Sequence, residues 1–217
     1  MSHSLHRHGT PAQLQNDYTF YARTSRYVNR EGCGPKLRRI LTILLEDQQV
    51  VNFGSSHSGK SYEAGLNPDE YGRTLDKAYG VAACFSDKEA IRSVLAKLQA
   101  ADTGISIVLS GLIDEIVALA REVGLKPHTA LLSLGVHGQR SALPEDRVLE
   151  ITTMCGHGQV PTRLTRAVID RVKAGKMTPQ AGAQLLAQPC PCGIFNTHRC
   201  RAILAACRDA GTTAPTQ

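Results

Sequence analysis

The chain has no tryptophan, and its aromatic share is only 5%. That scarcity removes the stacking platforms with which many proteins grip single-stranded nucleic acid. No apolar run approaches the roughly 20 residues that cross a bilayer as a helix. The opening MSHSLHRHGTPAQLQ also has no apolar signal-peptide core, so a cytoplasmic address and no membrane partner are expected. A disulfide framework is missing too, because seven cysteines is an odd number and their spacing is irregular. In a reducing compartment such thiols serve as core residues, ligands or nucleophiles.

At 217 residues and 42% hydrophobic content, the chain is long enough for one domain with an ample core. Its net charge of +6 is uneven. Residues 151–217 carry eight basic and two acidic side chains, whereas residues 51–150 carry ten and thirteen. The basic residues of the last third are spread out and accompanied by one aromatic, Phe195. This favours a small anionic substrate over nucleic acid.

The same basic third holds the densest chemistry. Cys155-Gly-His157-Gly closes an apolar run, and Cys190-Pro-Cys192-Gly follows after two short helical patterns. Two soft-ligand clusters in glycine- or proline-bent turns predict a centre closed by folding. Thiolates and imidazole suit an iron–sulfur cluster or zinc. The first expectation is a 4Fe-4S cluster on Cys155, Cys190 and Cys192, with an open iron that binds substrate. His157, and His137 from a repeated His-Gly-Gln triplet, would then serve as catalytic groups. That reading describes an oxidoreductase or lyase, working with a redox partner protein or as a homo-oligomer. Its competitor is a Cys₃His zinc shell, with His157 as fourth ligand, in a structural or protein- or nucleic-acid-binding module. Cys200 can be either core or ligand, while Cys33, Cys84 and Cys207 read as structural. His3, His6 and His8 read as solvated tail residues.

The run Cys190-Pro-Cys192-Gly…His198-Arg-Cys200 resembles the zinc-binding SEC-C motif found at the end of the SecA translocation ATPase. The resemblance covers residues 190–200 only, and it implies zinc chemistry for that run.

A further motif, Gly54-Ser-Ser-His-Ser-Gly59-Lys60-Ser61, fits the P-loop pattern after a short β-like run. Gly65 and Pro68 interrupt any helix that would start at Lys60. No later strand ends in a magnesium-binding aspartate. A Ser/Gly loop is the favoured reading, with a P-loop nucleotide hydrolase the third functional class.

Strands are expected at Gln49–Phe53, Val81–Phe85, Ile105–Leu109, Thr129–Leu134 and Val148–Thr153. Helices are expected from Gly34, after a capping box of Ser86 and Glu89, over Leu112–Val123, Leu164–Lys173 and Thr178–Ala187, and over Thr197–Asp209. Alternation of this kind predicts an α/β fold with a mainly parallel sheet flanked by helices. A ferredoxin-like α+β arrangement is the alternative. The expected division is a flexible or extended arm over 1–30, a core over 31–154, and a helical segment over 155–217 that closes the metal site.

Overall fold

The computed structural model describes residues 7–55, 57–133 and 135–212. Four strands form one antiparallel sheet: β1 (Tyr18–Arg23), β2 (Val50–Gly54), β3 (Gly80–Phe85) and β4 (Ser106–Ser110), in spatial order β2-β3-β1-β4. The expected mainly parallel sheet is therefore overturned, and the α+β alternative describes the molecule. A short helix α1 (Pro11–Leu14) precedes β1. Helix α2 (Gly34–Glu46) links β1 to β2, α3 (Pro68–Thr74) lies between β2 and β3, and α4 (Lys88–Ala101) links β3 to β4. Leaving out the short α1 and α3, this is the β-α-β-β-α-β order of the split-βαβ arrangement. Then come α5 (Ile113–Glu122), α6 (Asp146–Thr152), α7 (Thr162–Lys173), α8 (Pro179–Ala187) and α9 (Thr197–Thr212).

The cause of the wrong sheet expectation is visible in the burial. Antiparallel sheets usually show water one face, and their strands alternate apolar and polar residues. Here both faces are covered. Phe20, Val81, Ala83 and Phe85 pack with Leu37, Ile40, Leu44, Ile91 and Leu95 of α2 and α4. Ala82, on the opposite face, belongs to a second core built by α6, α7, α8 and α9. All six residues of β3 are buried as a result, so the strand reads as a continuous apolar run, which is the usual mark of a parallel sheet.

Two expected strands are absent among the described residues. Residues 129–133 are irregular and exposed, and Val148–Thr153 falls almost wholly within α6. The segment 18–23, placed at sequence level in the extended arm, instead forms β1 and pairs with both β3 and β4. Helix α4 is capped one residue later than expected. Asp87 accepts from the Ala90 amide at 2.7 Å, because the Ser86 hydroxyl is committed to Asn196 Oδ1 at 3.0 Å.

One buried polar network ties the chain's beginning, sheet and end together. The Asp17 carboxylate receives Arg7 Nη1 at 2.9 Å, Arg199 Nη1 at 2.9 Å and Asn196 Nδ2 at 3.0 Å. Arg7 also donates to Thr19 Oγ1 and to the Ile194 carbonyl, and Arg199 donates to the His8 carbonyl. The Asp17 side chain is 0% exposed, and those of Arg7 and Arg199 are 7% and 8% exposed. Removing one partner of a buried pair leaves an uncompensated charge, which costs about 3–5 kcal/mol. Asp17→Ala should therefore lower unfolding free energy by about that amount in a denaturant titration, since it strands two guanidinium groups.

Candidate metal centre

The cysteine turn is built by local chain chemistry and fitted to the sheet. Thr178 caps α8 by accepting from the Ala181 amide, and Pro179 occupies its first turn. After α8, the Cys190 amide donates to the Ala187 carbonyl, and the Gly193 amide returns to the Cys190 carbonyl at 3.3 Å. Cys190-Pro191-Cys192-Gly193 is thus a closed four-residue turn with proline second, where its fixed φ suits the bend. Gly193 has φ +72°, and an added Cβ would stand 2.2 Å from the Phe53 carbonyl carbon. A Cβ on Gly54 would stand 2.6 Å from the Pro191 carbonyl oxygen. Backbone therefore meets backbone where β2 ends, with no room for side chains.

A row of polar side chains on the sheet holds the next residues. Asn52, Cys84 and Thr19 are register neighbours across β2, β3 and β1. Asn52 Nδ2 and the Cys84 thiol both donate to the Phe195 carbonyl, at 3.4 and 3.5 Å. Asn196 Oδ1 then accepts from the Arg199 amide, at the start of α9.

Folding brings together the four expected ligands, from turns 35 residues apart. Cys190 Sγ lies 3.6 Å from Cys192 Sγ, and Cys192 Sγ lies 3.9 Å from His157 Nδ1. Cys155 is hydrogen-bonded to Cys190. The side chains form a row, Cys155–Cys190–Cys192–His157. Among the described residues, no group of three or more Cys, His, Asp or Glu side chains is arranged about one point as a metal site. The three cysteines are 0–2% exposed, whereas His157, against Cys192, is exposed.

Backbone amides point at every sulfur. Those of Gln159 and His157 serve Cys155, that of Phe195 serves Cys190, and that of Ile194 serves Cys192. Such donors favour a thiolate. Hydrogen bonding to Cys190 and then burial hold the Cys155 thiol well above its ordinary range. At Cys190 the bond from Cys155 pulls downward, but the bond to Cys192 and burial outweigh it and push the thiol up to about 12. The bond from Cys190 draws Cys192 below its usual value. Of the three, Cys192 is the readiest thiolate.

The other expected residues stand elsewhere. His137 lies in the exposed loop between α5 and α6, with no strand before it among the described residues, so the sheet-edge placement that suggested catalysis is not found there. Cys200 is buried in α9 within the second core, where desolvation raises its thiol. Cys207 is in the same core, and Cys33 contacts the Ala78 carbonyl. His8 pairs with Asp146 at 3.2 Å, and His3 and His6 fall outside the described residues. Cys84 is the residue that spacing alone missed. It sits on β3, with its buried thiol donating to the Phe195 carbonyl just after the cysteine turn, and only strand pairing puts it there. No family model, curated protein or solved structure matches this chain, so the likeness to the SEC-C motif rests on residues 190–200 alone.

If the cysteine turn depends on direct backbone packing, Gly193→Ala must disturb it more than an unpacked left-handed glycine does. Left-handed strain alone costs about 1–2 kcal/mol. Gly175→Ala, at φ +68° with nothing within 4 Å, should lose about that much. Gly193→Ala should lose clearly more in the same denaturant series.

Proposed function

We propose that Cys155, Cys190, Cys192 and His157 hold one zinc ion, which ties the Cys155–His157 turn to the Cys190–Cys192 turn within the C-terminal helical unit of a non-catalytic binding module. The observation that carries this reading is the 3.6 Å separation of Cys190 and Cys192 sulfurs, with His157 Nδ1 next in the row at 3.9 Å. Two thiolates on one tetrahedral zinc, with Zn–S about 2.3 Å, stand about 3.8 Å apart. In a 4Fe-4S cluster each thiolate holds a different iron and the sulfurs spread outward around the cube. The close pair therefore favours a single ion over the cluster. The donor set of three thiols and an imidazole suits zinc, and amides aimed at each sulfur would support the thiolate forms. Closing the row into a tetrahedron is the rearrangement that the ion itself would drive. A shell with four protein ligands leaves no position for substrate, which separates structural from catalytic zinc.

Metal analysis tests this reading. Purified protein should be colourless and carry close to one zinc per chain. Single Cys155→Ser, Cys190→Ser and Cys192→Ser variants should each lose most of it, and His157→Ala should lose it to a weak chelator. Cys33→Ser and Cys207→Ala should keep it. A brown, anaerobically isolated protein containing iron and sulfide would favour the cluster, with redox or Lewis-acid chemistry on a small anion. Full metal content in all three cysteine variants would remove the site altogether.

Zinc bound only by the folded chain adds directly to stability. A strong chelator should lower the melting temperature of the parent. The same chelator should leave the melting temperature of Cys192→Ser unchanged.

A further inference from the structure

The P-loop-like segment does not fold as a P-loop. A helix would have to start at Lys60, but the chain makes a turn there and then a single 3₁₀ turn over Tyr62–Ala64, closed by Gly65 at φ +88°. Ser61, which in a P-loop would face magnesium, is 0% exposed. Helix α3 begins only at Pro68, where the Asn67 side chain caps the Asp69 and Glu70 amides.

What the structure builds instead is a cavity of about 260 Å³ between this turn and α3. Lys60 from the turn and Arg73 and Lys77 from α3 and the turn after it line the cavity, against the single carboxylate of Glu70. Among the described residues, no carboxylate forms an ion pair with Lys60, Arg73 or Lys77. The cation Arg38 on the neighbouring surface, by contrast, is paired with Asp76. The hydroxyls at the rim are already committed. The single Ser58 hydroxyl proton is shared between the Ser55 and Lys60 carbonyls, and Thr74 donates to that of Tyr71. The cations, with the His57 ring beside them, are therefore the cavity's available donors. Its floor includes Tyr71, which is rigidly held because its hydroxyl donates to the Gly54 carbonyl at 3.1 Å.

We infer that this cavity binds the phosphate group of a small phosphate monoester. A phosphate monoester carries about −1.5 to −2 charge at pH 7 on three acceptor oxygens. Three cations from two chain segments match that charge and can reach it from different sides. Arg73 supplies the planar fork that grips phosphate through two bonds, and the lysines act as point charges. A lone carboxylate ligand would leave the site overcharged. The volume lies below the about 300–1,000 Å³ of drug-sized sites, so it fits a phosphate with a small carrier and not a nucleoside triphosphate. Glu70 is placed to accept from a hydroxyl of that carrier. The inference stands independently of the metal centre, since none of its residues is a proposed ligand.

The test is calorimetric titration of the full chain with ribose 5-phosphate, inorganic phosphate and ribose. The parent should bind the two phosphates, more weakly as salt rises, and should not bind ribose. The double variant Lys60→Gln/Arg73→Gln, whose changed side chains are exposed, should keep the parent's melting temperature and bind ribose 5-phosphate at least tenfold more weakly. Arg39→Gln, a surface cation elsewhere, should bind as the parent does. Absence of phosphate binding by the parent, or equal binding by the double variant, would overturn the site. Displacement of ribose 5-phosphate by a stoichiometric single-stranded decanucleotide would overturn the small-molecule assignment in favour of a polyanion.

Discussion

Asp17 is the point on which the three parts of the molecule converge. Arg7 approaches it from the chain's beginning, Arg199 from α9, and Asn196 from the turn before α9. A carboxylate with no exposure can remain charged in a core only when it is compensated this fully. The network fixes geometry as well as charge. Arg7 reaches the Ile194 carbonyl and Asn196 reaches the Phe85 carbonyl, so the residues just after the cysteine turn are held to one strand end. The candidate metal centre inherits its position from this buried pairing.

A second constraint comes from the two-sided sheet. The face toward α2 and α4 is apolar apart from the Tyr18 hydroxyl. The face toward the C-terminal unit alternates small apolar and polar residues, with Thr19, Asn52 and Cys84 turned to carbonyls of Ile194 and Phe195 through Arg7 or directly. Backbone carbonyls in an irregular turn have no ladder partners, and buried ones must be satisfied. The sheet supplies the donors to Phe195 through Asn52 and Cys84, and Arg7, seated on Thr19, supplies the one to Ile194. The cysteine turn can therefore be irregular and buried at once, which a metal-binding turn needs if its thiolates are to be shielded from solvent.

These two features also separate the two candidate sites. The cysteines, with His157 against Cys192, lie on the side where β2 meets the Cys190–Gly193 turn. The basic cavity opens from the chain leaving that same strand end. Gly54 stands between them, bound by Tyr71 on one side and pressed against Pro191 on the other. No helix among the described residues is long and apolar enough to cross a membrane.

Much of the local structure was legible in the chain. Helical periodicity located α2, α4, α5, α7, α8 and α9 to within a few residues, and Thr178-Pro179 marked its helix start. The spacing Cys155-Gly-His157 and Cys190-Pro-Cys192 named four side chains that folding does bring together, because soft ligands in bent turns are informative without tertiary knowledge. Strand direction was not legible, since a strand covered on both faces carries the same apolar signature in either orientation. The 148–153 run was misread because a short apolar segment fits a strand or one buried helical face equally well. The structure alone showed that Asp17, Arg7 and Arg199 pair, that Cys84 lies near the centre, and that Arg73 and Lys77 join Lys60. Each is a meeting of residues remote in sequence or on separate elements. Sequence spacing reports what one element can present, and only tertiary packing decides which presented groups face each other.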